Sequence, residues 1–263
     1  MPAEVFEGNK GFMESIAGRF EIDWADENLE IVRRTILKRY NAEIHSHCWA
    51  RCKLADPRPG KGAPVAERRP DTPPGLERAP WRPNRGQLAG AWDQRVPDVI
   101  APDLDVLFVG INPGLWSGAV GHHFAHPSSR FWKALHASGF TPRLLSPFEE
   151  ADLLAFDLGL TNLVDRATAS ARDLSREELR SGARVLERKV ARHHPRWVAL
   201  LGVGAYRTAF DRPGGRVGRQ PDRIAGSDVW VLPGPSGLNA HYPMPAAIEA
   251  FRRFHEAAYG GRE

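Results

Sequence analysis

Short continuous apolar runs alternate along this chain with stretches in which apolar residues recur every three or four positions. Asp105-Val106-Leu107-Phe108-Val109, Trp197-Val198-Ala199-Leu200-Leu201 and Asp228-Val229-Trp230-Val231-Leu232 are runs of the first kind. Such runs lack the polar alternation of a strand with one wet face, so each predicts a strand covered on both sides. Leu158-Gly159-Leu160-Thr161-Asn162-Leu163 is a weaker fourth. Helical patterns fill the gaps over 128–138, 175–194, 204–210 and 244–259. The longest opens on Ser175-Arg176-Glu177-Glu178, a capping box in which serine and the acid three residues on satisfy each other's backbone N–H. Strand–helix alternation predicts an α/β domain built on a mostly parallel four-stranded sheet with helices on both faces. In such sheets ligands bind past the carboxyl ends of the strands.

Two other textures precede this domain. Within residues 1–54, Asn28 to Tyr40 repeats apolar positions with helical spacing behind a candidate cap at Asp26. Residues 55–87 are rich in Pro, Gly and Arg, a composition that buries too little apolar surface to offset chain entropy, so this stretch is expected to be an extended or disordered linker. The folded domain is expected over 88–263.

Charge changes the picture only locally. The chain carries a net +4, but ten Lys or Arg against five Asp or Glu lie between Arg51 and Arg95. That surplus suits a polyanion, and suits a solvated linker equally well. The two cysteines, Cys48 and Cys52, are too few for a disulfide framework and point to a reducing cytoplasm, with nucleoid association if the source is bacterial. No apolar run reaches bilayer length, and the opening residues lack the apolar core of a signal peptide, so no membrane association is expected.

The candidate chemistry follows the strands. Gly110-Ile111-Asn112-Pro113-Gly114-Leu115 comes directly after the first. Pro113 biases Asn112 toward extended backbone, which presents its carboxamide rigidly; the triplet also fits a simple β-turn. A carboxamide cannot be a general base at neutral pH, but it can hold a water. Gly121-His122-His123-Phe124-Ala125-His126 follows. No second cluster at matched spacing accompanies these histidines, so no zinc site is expected, and the same holds for His45, His47, Cys48 and Cys52. Phe124 suits either a base-stacking ring or a core aromatic. After the last strand, Gly234-Pro235-Ser236-Gly237-Leu238 misses the glycine spacing of a nucleophile elbow, which disfavours a serine hydrolase. Leu238 at the tip of that turn suits an apolar wedge between base pairs.

Taken in order, the motifs at Gly110–Leu115, Gly121–Phe124, Arg130-Phe131-Trp132-Lys133, Thr161-Asn162-Leu163-Val164-Asp165-Arg166 and Pro235–Leu238 resemble the mismatch-specific uracil and thymine DNA glycosylase family. The resemblance runs from about Asp98 to the C-terminus. It implies a three-layer α/β/α fold of the uracil-DNA glycosylase type. It implies that Asn112 positions the attacking water and that Phe124 stacks on the flipped base. Gly110, Ile111, Ser117, His123 and Asn162 would complete the base pocket. Gly237, Leu238 and Asn239 would form the wedge, with Ser236 and His241 on the DNA beside it. Ala240 stands where relatives often carry arginine, which leaves the reading of the opposite strand open.

The expected activity is therefore hydrolysis of the N-glycosidic bond of uracil, or of a related mispaired pyrimidine such as thymine or an etheno-cytosine. The expected partner is double-stranded DNA with G·U or G·T mispairs, bound by a monomer. No lysine sits in a Schiff-base motif, so no lyase step is expected, and the reaction needs no cofactor. A non-catalytic damage-binding module and a free-nucleoside hydrolase are the alternatives.

Overall fold

The computed structural model describes residues 82–260 apart from Leu238 and Ala240, all within the unit Arg78–Glu263. The helical reading of Asn28–Tyr40, the Pro-rich stretch as far as Trp81, and the tip of the expected wedge lie outside the described residues. The first described element is α1, Arg85–Ala89, closed by a reciprocal capping box between Asn84 and Gln87. The linker boundary read at residue 87 falls inside it.

The centre is a sheet of five strands, not four. β1 (Val106–Gly110), β2 (Leu158–Asn162), β3 (Trp197–Leu201) and β5 (Ser227–Leu232) match the four predicted runs. They pair in parallel in the order β2-β1-β3-β5. The fifth, β4 (Gly218–Ile224), lies antiparallel on the outer side of β5. Its sequence, Gly-Arg-Gln-Pro-Asp-Arg-Ile, has no apolar run because only Gln220 and Ile224 are buried. A proline normally argues against a strand. Here Pro221 falls where the pairing register shifts, between Arg219 and Arg223, so the ladder loses no bond to it.

Side-chain alternation along the strands divides the core in two. Val106 and Phe108 of β1 face one cluster, with Phe131, Leu135, Leu153, Phe251 and Phe254. Leu107 and Val109 face the other, with Leu179, Leu186, Val190, Tyr206 and Val231. The first cluster is roofed by α3 (Phe131–Ala137), α6 (Met244–Tyr259) and a 3-10 segment, Pro147–Phe156. The second is roofed by α4 (Arg176–His193) and α5 (Val203–Ala209). These make the three layers. The predicted capping box opens α4, with Ser175 Oγ accepting from Glu178 N at 3.1 Å and Glu178 returning the bond to Ser175 N at 2.8 Å. The remaining helix, α2 (Leu115–Val120), follows Gly114 at once and was not predicted, since six residues are too few for a helical period to show. Among the described residues no helix is long and apolar enough to cross a membrane.

Candidate active site

Gly110, Asn162 and Phe124 meet where β1 and β2 end, and Asn112 lies two residues past Gly110. Gly110 and Asn162 are the last residues of these strands and face each other in register. By the alternation that sends Val109 and Thr161 to the α4 side, Gly110 and Asn162 turn to the side of α3. A Cβ on Gly110 would run into Asn162 Oδ1 and come within 3.3 Å of Phe124 Cζ. Glycine is needed here for the space it leaves. The Asn162 carboxamide is buried at the edge of this space, and no described residue hydrogen-bonds it. Ile111, one residue further, points the other way: its side chain packs in the second cluster, close against Gly202. Its carbonyl accepts from Val164 N at 2.9 Å, and Gly110 O accepts from Leu163 N at 2.8 Å, so the ladder continues past both strands.

Asn112 is held by its nitrogen. Nδ2 donates to Thr168 Oγ1 at 2.7 Å and to Arg166 O at 3.0 Å. This orientation is forced. A carbonyl only accepts, and the Thr168 hydroxyl spends its one proton on Ser170 O at 2.8 Å, so both partners require N–H from Asn112. Both amide protons are thereby used, and Oδ1 is left as the open acceptor. The supports are themselves anchored. Thr168 N donates to Pro113 O and Leu115 N donates to Thr168 O, both at 3.1 Å. Arg166 bonds Glu178 at 2.6 Å and Asp93 at 3.1 Å. The Arg166 hydrogen bond, with the backbone and side chain of Ser175, holds the Glu178 carboxyl down to about 2. Thr168 had no signal in the sequence. Thr168→Val keeps the shape and removes the acceptor. It is expected to lower stability by about 0.5–1.5 kcal/mol by leaving an Asn112 N–H without its partner, and Thr168→Ser should recover most of the loss, as read from the melting temperature.

The loop after α2 carries the aromatic. Phe124 sits in the left-handed region (φ 52°), unusual for an aromatic and common at functional positions. Its ring stacks on Phe131, centroids 4.2 Å apart at 24°. One face is thus braced from the core while the ring edge reaches Gly110. Ser117 holds this loop: its hydroxyl accepts from Ala125 N at 3.1 Å.

The two histidines just before the aromatic share one carboxylate. Glu150 Oε2 accepts from His123 N at 2.8 Å and from His123 Nδ1 at 3.0 Å, and Oε1 accepts from His122 Nδ1 at 2.8 Å. Because a carboxylate has only acceptors, each Nδ1 carries its proton toward Glu150. His123 is 2% exposed, and its Nε2 is buried with no partner among the described residues. Burial pushes the Glu150 carboxyl up; the His123 side-chain hydrogen bond, the His123 charge and backbone N–H, and the His122 bond outweigh it and hold it below the ordinary carboxylate value. A depressed folded value means this stabilisation is complete above the unfolded value and lost as pH falls through the folded one. Glu150→Gln is expected to lower stability by about 1–3 kcal/mol at neutral pH, and the difference should close in acid. Melting temperature of both proteins across pH 3–7 checks this.

The loop after β5 closes the site on the side of α3. Asn239 uses its carboxamide to bond Gly234 O at 3.1 Å, and Asn239 N donates to Ser236 O at 3.0 Å. Gly237 packs so closely on Ser128 that a Cβ would fall 2.7 Å from its Cβ and carbonyl oxygen. Ser236 and His241 are exposed. A cleft of about 340 Å³ lies elsewhere, between α4, α5 and β4. Its rim is already ion-paired, Arg212 to Asp222 at 2.5 Å, and none of Gly110, Asn112, Phe124 or Asn162 lines it.

The geometry thus brings together Gly110, Phe124 and Asn162, with His123 beside Phe124 and Asn112 held two residues beyond Gly110 by Arg166 and Thr168. It gives Ser117 a tethering contact and turns the Ile111 side chain away. Glu150 and Arg166 support the site through contacts that only the fold reveals. With this arrangement the chain matches the family model of the Uracil DNA glycosylase superfamily over residues 97–257, well over half its length. Among solved structures it is similar to an NMR structure from Methanosarcina acetivorans described as a candidate uracil DNA glycosylase. The two are 18% identical, with a TM-score of 0.43, over 62% of this chain and 98% of that one. At that similarity the likeness adds no weight to the family match.

Proposed function

The chain belongs to the uracil DNA glycosylase superfamily, and from this premise we propose that it removes uracil, or a related mispaired pyrimidine such as thymine or an etheno-cytosine, from duplex DNA by hydrolysis. The observation that carries the reading is the forced orientation of Asn112: both N–H groups tied to protein and Oδ1 left to accept from a water.

The reaction needs the target nucleotide out of the stack, at a cost of a few kcal/mol that is smallest for a mispair. That difference favours G·U and G·T over normal pairs. The extruded base lies on the face of Phe124 that Phe131 does not cover. The Asn162 carboxamide meets the pyrimidine edge, and the buried Nε2 of His123 supports a further polar contact. Water held by Asn112 Oδ1 attacks C1′ as the C1′–N1 bond breaks. The electron pair leaves with N1, so uracil departs as an anion that later takes a proton, and the water proton passes to solvent. Asn112 holds the water without taking its proton, so the sugar carries much of the positive charge in the transition state. Leu238, with Gly237 and Asn239, fills the vacated stack, while Ser236 and His241 lie along the strand. One chain acts alone, without a lyase step.

A duplex with a single G·U pair tests the reading. Wild-type protein should leave an alkali-labile site and free uracil. DNA bound tightly but left intact would favour a damage-binding module. Release from free deoxyuridine alone would favour a nucleoside hydrolase.

A further inference from the structure

Arg130 stands between the pocket and the loop after β5. Its backbone N donates to Pro235 O at 2.8 Å. Its guanidinium donates through Nη1 to Asn239 O at 2.8 Å and Tyr242 O at 2.5 Å, and through Nη2 to Gly237 O at 2.9 Å. Three carbonyls on one loop, spread over six residues, are thus drawn to one planar cation. Such charge-assisted bonds are about twice as strong as neutral ones. No described carboxylate lies within 4.0 Å of Arg130, and the loop carbonyls are the only described hydrogen-bond partners of its guanidinium. The next residue, Phe131, is the ring that braces Phe124. Ser128, two residues before, is packed against Gly237. Arg130 therefore ties, within a few covalent bonds, the ring behind the base pocket to the loop over residues 235–242.

We infer that Arg130 is a positioning residue that holds the 235–242 loop in fixed relation to the Phe124 pocket, so that opening the duplex and capturing the base occur together. The inference rests on the glycosylase reading above. It assigns Arg130 no contact with substrate. A lysine cannot take its place, because a single ammonium does not span three carbonyls set for a fork of N–H groups.

The test uses the full chain, wild type, Arg130→Lys and Arg130→Gln, on two substrates of the same sequence: uracil opposite guanine, and uracil opposite a one-nucleotide gap where no pair need be broken. Both variants should lose about ten- to hundredfold in single-turnover excision from G·U, and less than about threefold at the gap. Backbone amides of 234–243 should exchange with deuterium at least about tenfold faster, with β1 and β3 unchanged. Equal loss on both substrates, an unchanged G·U rate, or unchanged exchange would overturn the inference. If either variant fails to fold, Gly237→Ala displaces the same loop by its clash with Ser128 and must give the same split between substrates. A wild-type protein inactive on both substrates sinks the glycosylase reading instead, while the exchange comparison still reports on the clamp.

Discussion

Asn112→Ala is expected to lower uracil excision from a G·U duplex by about 10²-fold or more under single-turnover conditions, while DNA affinity stays within about threefold. The size follows from what is lost. Oδ1 is the only part of the side chain not tied to protein, since Nδ2 is held by Thr168 and Arg166. Truncation removes the acceptor for water and strands two backbone-anchored acceptors, but it takes nothing from the DNA-facing surface. Misplacing a reactant by about an ångström is enough for a loss of about 10²-fold. An Ala variant as fast as wild type would show that water is held by some other group.

Gly110→Ala is expected to be nearly as damaging, by a different route. The added methyl points into the space shared by Asn162 and Phe124 and cannot be accommodated without moving one of them. Overpacking of this kind costs about 1–3 kcal/mol in stability. Because it fills the place proposed for the base, excision should also fall at least tenfold, about 1.4 kcal/mol in the barrier. The two effects separate in a double-mutant cycle. Asn162→Ala in the Gly110→Ala background should return much of the stability, because the clashing oxygen is gone, yet should not return activity. Additive stability losses would mean the clash is relieved elsewhere.

The parts of this fold that could be read in the sequence are those set by local pattern. β1, β3 and β5 are continuous apolar runs because both faces are covered, and α4 announces itself by its capping box and its 3.6-residue period. The helix expected from Ser128 begins only at Phe131, because the chain just before it makes a separate turn in which Ser129 N donates to His126 O at 2.8 Å. The site divides in the same way. Gly110, Asn112 and Asn162 stand at or just past strand ends, where the topology directs attention, and Phe124 lies in the loop after α2. Their supports lie far off in sequence: Arg166 and Thr168 are 54 and 56 positions from Asn112, and Glu150 is 27 from His123. Nothing in the spacing of a linear chain specifies such pairs; they exist because β1 and β2 are neighbours. Ile111 shows the opposite limit. Its place in the motif suggests the pocket, but strand alternation sends its side chain to the other face.

The outer strand β4 has a consequence for how the protein meets copies of itself. A sheet ending in a flat apolar strand offers unpaired N–H and C=O groups as a template on which another chain can crystallise its own strand. β4 instead presents Arg219, Asp222 and Arg223 to solvent, has no N–H at Pro221, and breaks its register in the middle. At the opposite edge, β2 is partly capped by Val99, which exchanges backbone bonds with Leu160 at 2.7 and 2.9 Å. Neither border is a ready seed for cross-β growth. The polar sequence that hid this strand from prediction is also what makes the sheet stop.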